Sequence, residues 1–181
     1  IKYLKTAART RCGDHGEQTM PEINISTKKM ERERVARFAD MKPNPMMFVD
    51  TRLPHRARDL FSVIGPGVSE DPSTRPVITG SHGFNIAYVG AEPGCGASLH
   101  NHVTVEVFIP VSGDWTIYWG DDGENEVKLG PLDCISVPPG VMRGFRNDGE
   151  EYAHMVAVVG GDDNGKVAKR RLRDSWLQAL A

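Results

Sequence analysis

Gly94-Cys-Gly-Ala-Ser-Leu-His100-Asn-His102-Val-Thr-Val-Glu106-Val-Phe-Ile-Pro-Val-Ser-Gly113 is the stretch on which the reading of the chain turns. Two histidines stand two residues apart, a carboxylate follows four residues after the second, and a glycine closes each end of a β-branched run. Side chains alternate between the faces of a strand, so 100 and 102 point the same way, and 106 joins them if the strand continues. Two imidazoles and one carboxylate converging on a point make a facial N,N,O donor set. Such a set suits Fe(II), Mn(II), Ni(II) or Zn(II) and leaves positions open for substrate. A His-x-His pair alone carries little information; the glutamate at this spacing and the flanking glycines make the pattern specific.

The spacing Gly-x5-His-x-His-x3-Glu-x6-Gly resembles the first motif of the cupin superfamily at every fixed position. Cupins carry a second motif downstream, roughly Gly-x5-Pro-x-Gly-x2-His-x3-Asn. Its counterpart here is Leu132-Asp-Cys-Ile-Ser-Val-Pro138-Pro139-Gly140-Val-Met142-Arg143-Gly-Phe145-Arg-Asn147. Pro138, Gly140 and Asn147 match. Leu132 stands at the opening glycine, with Gly130 two residues earlier, and Arg143 stands where the last metal-binding histidine is usual. Both motifs and the segment between them span residues 94–147. The resemblance implies an all-β chain, a cupin-type jelly-roll β-barrel or sandwich. It also implies oxygenase, decarboxylase, lyase or isomerase chemistry, and pairing into a homodimer through barrel edges. Pro138-Pro139-Gly140 would shape the turn presenting Arg143, and Asn147 would be structural.

At 181 residues, with 39% apolar and 25% charged residues, the chain fits one globular domain with a short appendage. A net charge of −2 argues neither for a nucleic-acid binder nor for an acidic tail, and no nucleic-acid partner is expected. Its distribution is uneven: +3 over residues 1–41, −9 over 42–165 and +4 over 166–181. Basic ends therefore flank an acidic body, and they are free to be solvated faces or to pack on that body or a neighbour's. Cys12, Cys95 and Cys134 are far apart and odd in number, so a reducing cytoplasm is expected. No apolar run approaches membrane-spanning length and no signal peptide is evident, so no membrane partner is expected.

Residues 1–45 read as an N-terminal extension with a short helix, 46–162 as the barrel and 163–181 as a C-terminal helix. Met20-Pro-Glu makes a natural start, so residues 1–19, with His15, carry no functional reading. Ser26 or Thr27 caps a helix running to about Asp40, with Met30, Val35 and Phe38 on one side. It is too short for a DNA-reading helix-turn-helix. From Met46 short apolar runs alternate with Gly/Pro clusters, as in antiparallel β proteins. Strands are expected at Met47–Asp50, Phe61–Ile64, Val77–Ile78, Phe84–Val89, Val103–Val111, Trp115–Tyr118, Glu126–Leu129, Cys134–Val137, Gly144–Asn147 and His154–Val159. Asp121-Asp-Gly-Glu-Asn is a hairpin turn. From Asp163 or Asn164 a basic amphipathic helix is expected, with Ala168, Leu172, Trp176 and Leu180 as its apolar stripe.

His100, His102 and Glu106 are the candidate ligands of a divalent metal ion, with Glu106 as ligand or base. Arginine keeps its proton and cannot ligate a metal. Arg143 therefore leaves three outcomes. The metal is held by three residues while Arg143 clamps an anionic substrate; His82 or His154 swings in as a ligand; or Arg143 neutralises Glu106 in a metal-free site. A direct Arg143–Glu106 contact speaks for the last. Phe108, by parity with Glu106, and Phe145 or Met142 are candidates to line the substrate pocket. Trp115, Tyr118 and Trp119 are core residues or stacking platforms. The leading expectation is a metal-dependent enzyme acting on a small anionic organic molecule, with dioxygenase-type oxidation placed first. The alternative is a non-catalytic, metal-free binding protein using Arg143 as its anion anchor.

Overall fold

Buried and part-buried residues alternate without a break along Ala153–Gly160, as they must in a sheet with one face on a core. The same logic builds the rest. The computed structural model describes residues 23–161 other than 66 and 68, and the backbone of 167–170. Its strands are β1 (Asp59–Ile64), β2 (Phe84–Ala91), β3 (Gly96–His102), β4 (Glu106–Pro110), β5 (Trp115–Trp119), β6 (Asn125–Leu129), β7 (Ile135–Val137), β8 (Arg143–Asn147), β9 (Ala153–Gly160) and β10 (Val167–Arg170). They form two five-stranded sheets, ordered β1-β2-β9-β4-β7 and β10-β3-β8-β5-β6, with antiparallel neighbours throughout. This is the jelly-roll sandwich expected from the sequence. Phe108, Trp115, Ile117 and Met155 are fully buried between the sheets. Phe145 packs edge-on against both Phe108 and Trp115.

Asn147 is structural, as expected: its side-chain amide donates to the carbonyls of Ala91 and Glu151. It ties the end of β8 to β2 and to the turn before β9.

Several expected elements differ. The helix α1 is Thr27–Arg34, capped by Ser26 as expected, but it stops six residues short of Asp40. Val35 is extended there. The chain instead lays Phe38 on the outer face of the first sheet, 4.9 Å from the Phe61 ring and 5.2 Å from His154. Phe38 stays 47% exposed, but its contacts with Phe61, Tyr88 and His154 favour this path over another turn of an exposed helix. Met47–Asp50 is not a strand; Val49–Arg52 is a 3-10 turn. Its shape follows from the buried Asp50 carboxylate, which has partners on both sides. Val77–Ile78 contributes only an isolated bridge to Ile64.

The run Val103–Val111 is also broken. The chain bends at 103–105, leaving Val103 exposed, and enters the other sheet at Glu106. Val167–Arg170, inside the expected C-terminal helix, is strand β10 paired with β3. A bare β3 edge would present unpaired backbone groups, and a returning chain satisfies them. The remaining residues of that helix, with Leu172, Trp176 and Leu180, lie outside the described residues, as do Cys12 and His15.

Candidate metal centre

β3 ends on His102 and β4 begins on Glu106, in opposite sheets. The three side chains therefore do not converge by alternation along one strand, as expected; they converge because the chain crosses the sandwich between them. Oε2 of Glu106 lies 3.5 Å from Nε2 of His102 and 4.0 Å from Nε2 of His100. The three donor atoms fall within 4.8 Å of one another. All three side chains are buried, with residue exposures of 6% for His100, 1% for His102 and 4% for Glu106.

His100 is held by its other nitrogen. Nδ1 lies 2.8 Å from the carbonyl oxygen of Ser98. A carbonyl only accepts, so Nδ1 carries a proton and donates, and Nε2 faces Glu106 as the nitrogen that can ligate once it is unprotonated. Outer-shell partners of this kind fix the tautomer and orientation of metal-ligating histidines. The chemistry of the donor set thus fits a divalent ion. The 3.5 Å between His102 and Glu106 is close to the roughly 3–3.5 Å between two donors on one ion, and the 4.0 Å between His100 and Glu106 is wider.

Arg143 enters from β8 with no exposed surface. Its Nε donates to Oε2 of Glu106 at 2.8 Å, and its Nη1 to the carbonyl of Val141 at 3.0 Å. Among the described residues its Nη2 has no hydrogen-bond partner. The oxygen facing both histidines is therefore also the oxygen bound by the guanidinium. With Glu106 ionised the pair is neutral, so two positive charges of an added ion would have to be balanced by whatever binds with it.

The other candidates are placed as follows. Phe108 and Phe145 line a cavity of about 40 Å³ beside Glu106, with Phe48, Leu60 and Arg58. That volume holds a few water molecules, far below the ~300 Å³ at which drug-sized pockets begin. Met142 is buried but is not among the residues lining that cavity. His82 lies in an exposed loop against Arg34, and His154 packs on Phe38 and Tyr152; neither belongs to the cluster. Trp115 is core. Tyr118 is not a stacking platform: its hydroxyl donates to the carbonyl of Ala97. Burial raises its pKa and keeps it protonated for that role.

The buried pair Asp50–Arg58 was not legible in the sequence. Arg58 Nη2 donates to Asp50 Oδ1 at 2.9 Å, and its guanidinium sits over the Phe48 ring. Arg56-Ala-Arg58 reads as a solvated loop, and no periodicity marks it as internal.

Residues 87–159 match the family described as the cupin domain. That segment is a cupin domain. It holds β3 and β4, which carry the histidines and the glutamate, and β8, which carries Arg143. None of the curated proteins is a significant match. Among solved structures, the chain is similar to the polyketide cyclase RemF from Streptomyces resistomycificus at 18% identity, covering 78% of this chain and 87% of that one, with a TM-score of 0.56. It is also similar to a cupin 2 domain-containing protein from Halorhodospira halophila at 20% identity, covering 68% and 75%, TM-score 0.51. A chain from the crystal structures of the DMSP lyases RdDddP and RnDddQII aligns at 14% identity over 74% of this chain and 63% of its own, TM-score 0.54. At these identities the likeness is one of fold, a fold that hosts unrelated activities.

Proposed function

We propose that this cupin is a metal-dependent enzyme acting on a small anionic organic molecule. The observation carrying this reading is the buried His100–His102–Glu106 cluster with Nδ1 of His100 anchored on Ser98. His100, His102 and Glu106 would hold a divalent ion: iron, manganese, nickel or zinc. When bound, the ion would supply Lewis-acid polarisation of substrate oxygens and, if redox-active, oxidative chemistry. Dioxygenase-type oxidation stands first because three protein donors leave half of an octahedral shell open; lyase, decarboxylase and isomerase chemistry use the same shell. Arg143 holds the inner carboxylate oxygen in place with Nε and offers Nη2 to a substrate oxyanion. Phe108 and Phe145 make the walls of the small space beside Glu106 largely apolar.

A second reading rests on the direct Arg143–Glu106 contact: a metal-free binding protein in which the guanidinium neutralises the carboxylate. Elemental analysis of untagged protein purified without chelator, beside His100→Ala, separates the two. Stoichiometric transition metal that disappears in the variant supports the enzyme. No metal in either protein, with an anionic ligand that EDTA does not displace and Arg143→Ala abolishes, establishes the binding module instead.

A further inference from the structure

The strand that presents both histidines contains an irregularity on which their direction depends. Along β8, Phe145 and Arg143 are two residues apart and share the inward face. Their partners on β3 are Ala97 and His100, which are three residues apart. Ser98 and Leu99 together oppose Gly144, so β3 carries a bulge. In an unbulged strand, residues 97 and 100 would face opposite ways. Here the bulge shifts the alternation, so that Ala97 packs in the core and His100 still points inward. A one-residue slip that removed it would turn His100 and His102 outward together.

The peptide joining Ala97 to Ser98 is gripped at both polar ends by side chains from elsewhere. Its oxygen accepts from the Tyr118 hydroxyl, which reaches from β5 across Gly144. A Cβ at Gly144 would stand 2.4 Å from the Tyr118 Cζ, so only glycine lets the ring pass. Its N–H donates to Asp50 Oδ2 at 3.0 Å. Asp50 is fully buried and its other oxygen accepts from Arg58, whose Nη1 donates to the carbonyl of Gly96. The next carbonyl along, that of Ser98, is the acceptor for His100 Nδ1.

We infer that Asp50 and Tyr118 are positioning residues: together they lock the β3 bulge and so aim His100 into the barrel in its Nδ1-protonated form. Neither is a member of the cluster. Asp50 acts through the Ser98 peptide and is set by Arg58; Tyr118 acts through the same peptide from the opposite end. The inference takes His100 as a site residue from the proposed function, but it does not require the ion. A buried peptide outside its ladder needs both bonds, and losing either frees the bulge to migrate.

The test is made on full-length, EDTA-treated protein by imidazole nitrogen NMR, followed by cobalt(II) titration calorimetry. Wild type is expected to show His100 as a single Nδ1–H tautomer with a slowly exchanging ring proton. In Tyr118→Phe, which keeps the ring, that proton should exchange at least about tenfold faster while the His154 signals stay unchanged. In Asp50→Ala the single tautomer should be lost, and cobalt affinity should fall by about 10–100-fold, the usual range for an outer-shell partner. Asp50→Asn, which retains one acceptor oxygen, should recover part of both losses. If Asp50→Ala does not fold, Tyr118→Phe carries the decision alone. Folded variants whose His100 tautomer and proton exchange match wild type overturn the inference. If wild type binds no cobalt, the metal reading fails and the NMR comparison still decides the positioning role.

Discussion

Arg143 reaches from β8 across the sandwich to Glu106 on β4, and its Nε donates to the carboxylate oxygen that both imidazoles face, at 2.8 Å. With exposures of 0% and 4%, both partners are withdrawn from bulk solvent. Removing one side of a buried pair leaves an uncompensated charge, at a cost of about 3–5 kcal/mol. Arg143→Met and Glu106→Gln should each destabilise by roughly that amount in urea unfolding. The double variant should lose much less than the sum. Additive losses would show that the two groups do not depend on each other.

Arg143→His should raise metal affinity. The substitution removes a fixed positive charge beside the ion and puts a potential ligand at the position where cupins usually have one. A gain of at least about tenfold, or roughly 1.4 kcal/mol, is expected in cobalt or zinc titrations. An unchanged or weaker affinity would mean that the guanidinium is not what limits binding.

Two glycines are predicted to be intolerant of a methyl group, for different reasons. At Gly96 a Cβ would stand 1.9 Å from the backbone oxygen of Phe145, and a neighbouring strand cannot yield. At Gly144 it would meet the Tyr118 ring, which can swing away only by breaking its bond to Ala97. Overpacking typically costs about 1–3 kcal/mol. Gly144→Ala should fall in that range and Gly96→Ala at or above its upper end, read from thermal or urea unfolding. Wild-type stability for either would contradict the close approach of β8.

Stability should depend on pH through His154. Burial lowers its pKa, and Asp59 only partly opposes that. The unfolded chain takes up the proton near the ordinary value of about 6.5, whereas the folded protein does so at lower pH. Below about pH 6.5 the unfolded state therefore binds more protons, and stability falls until the folded-state pKa is passed. The ring is partly exposed, so the loss is modest. His154→Phe should flatten this part of the Tm profile between pH 7 and 5. An identical slope in the variant would assign the effect to other groups.

Much of the architecture could be read from residue patterns because one face of each central strand is buried. Val156, Val158 and the residues between them alternate as a two-sided sheet requires, and β2, β5 and β9 fall where expected. The three candidate ligands were legible from spacing alone, and they do meet. The reason they meet was not legible. Continuous alternation was expected from His100 to Glu106, whereas the chain changes sheets at 103–105, where no glycine or proline marks the bend. The bulge at Ser98–Leu99 was equally hidden. Nothing local calls for it; its peptide is satisfied by Asp50 and Tyr118, distant in sequence. Periodicity misread Val167–Arg170 because it pairs with an edge 65 or more residues away, a non-local demand that a helical stripe cannot report.

The hop at 103–105 has a mechanical corollary. The donors lie only six residues apart along the chain yet belong to separate sheets. An ion shared between them would rivet the two halves of the sandwich at their interior. Prising the sheets apart would then require breaking coordination bonds first, so loading the site should slow unfolding more than it alters folding.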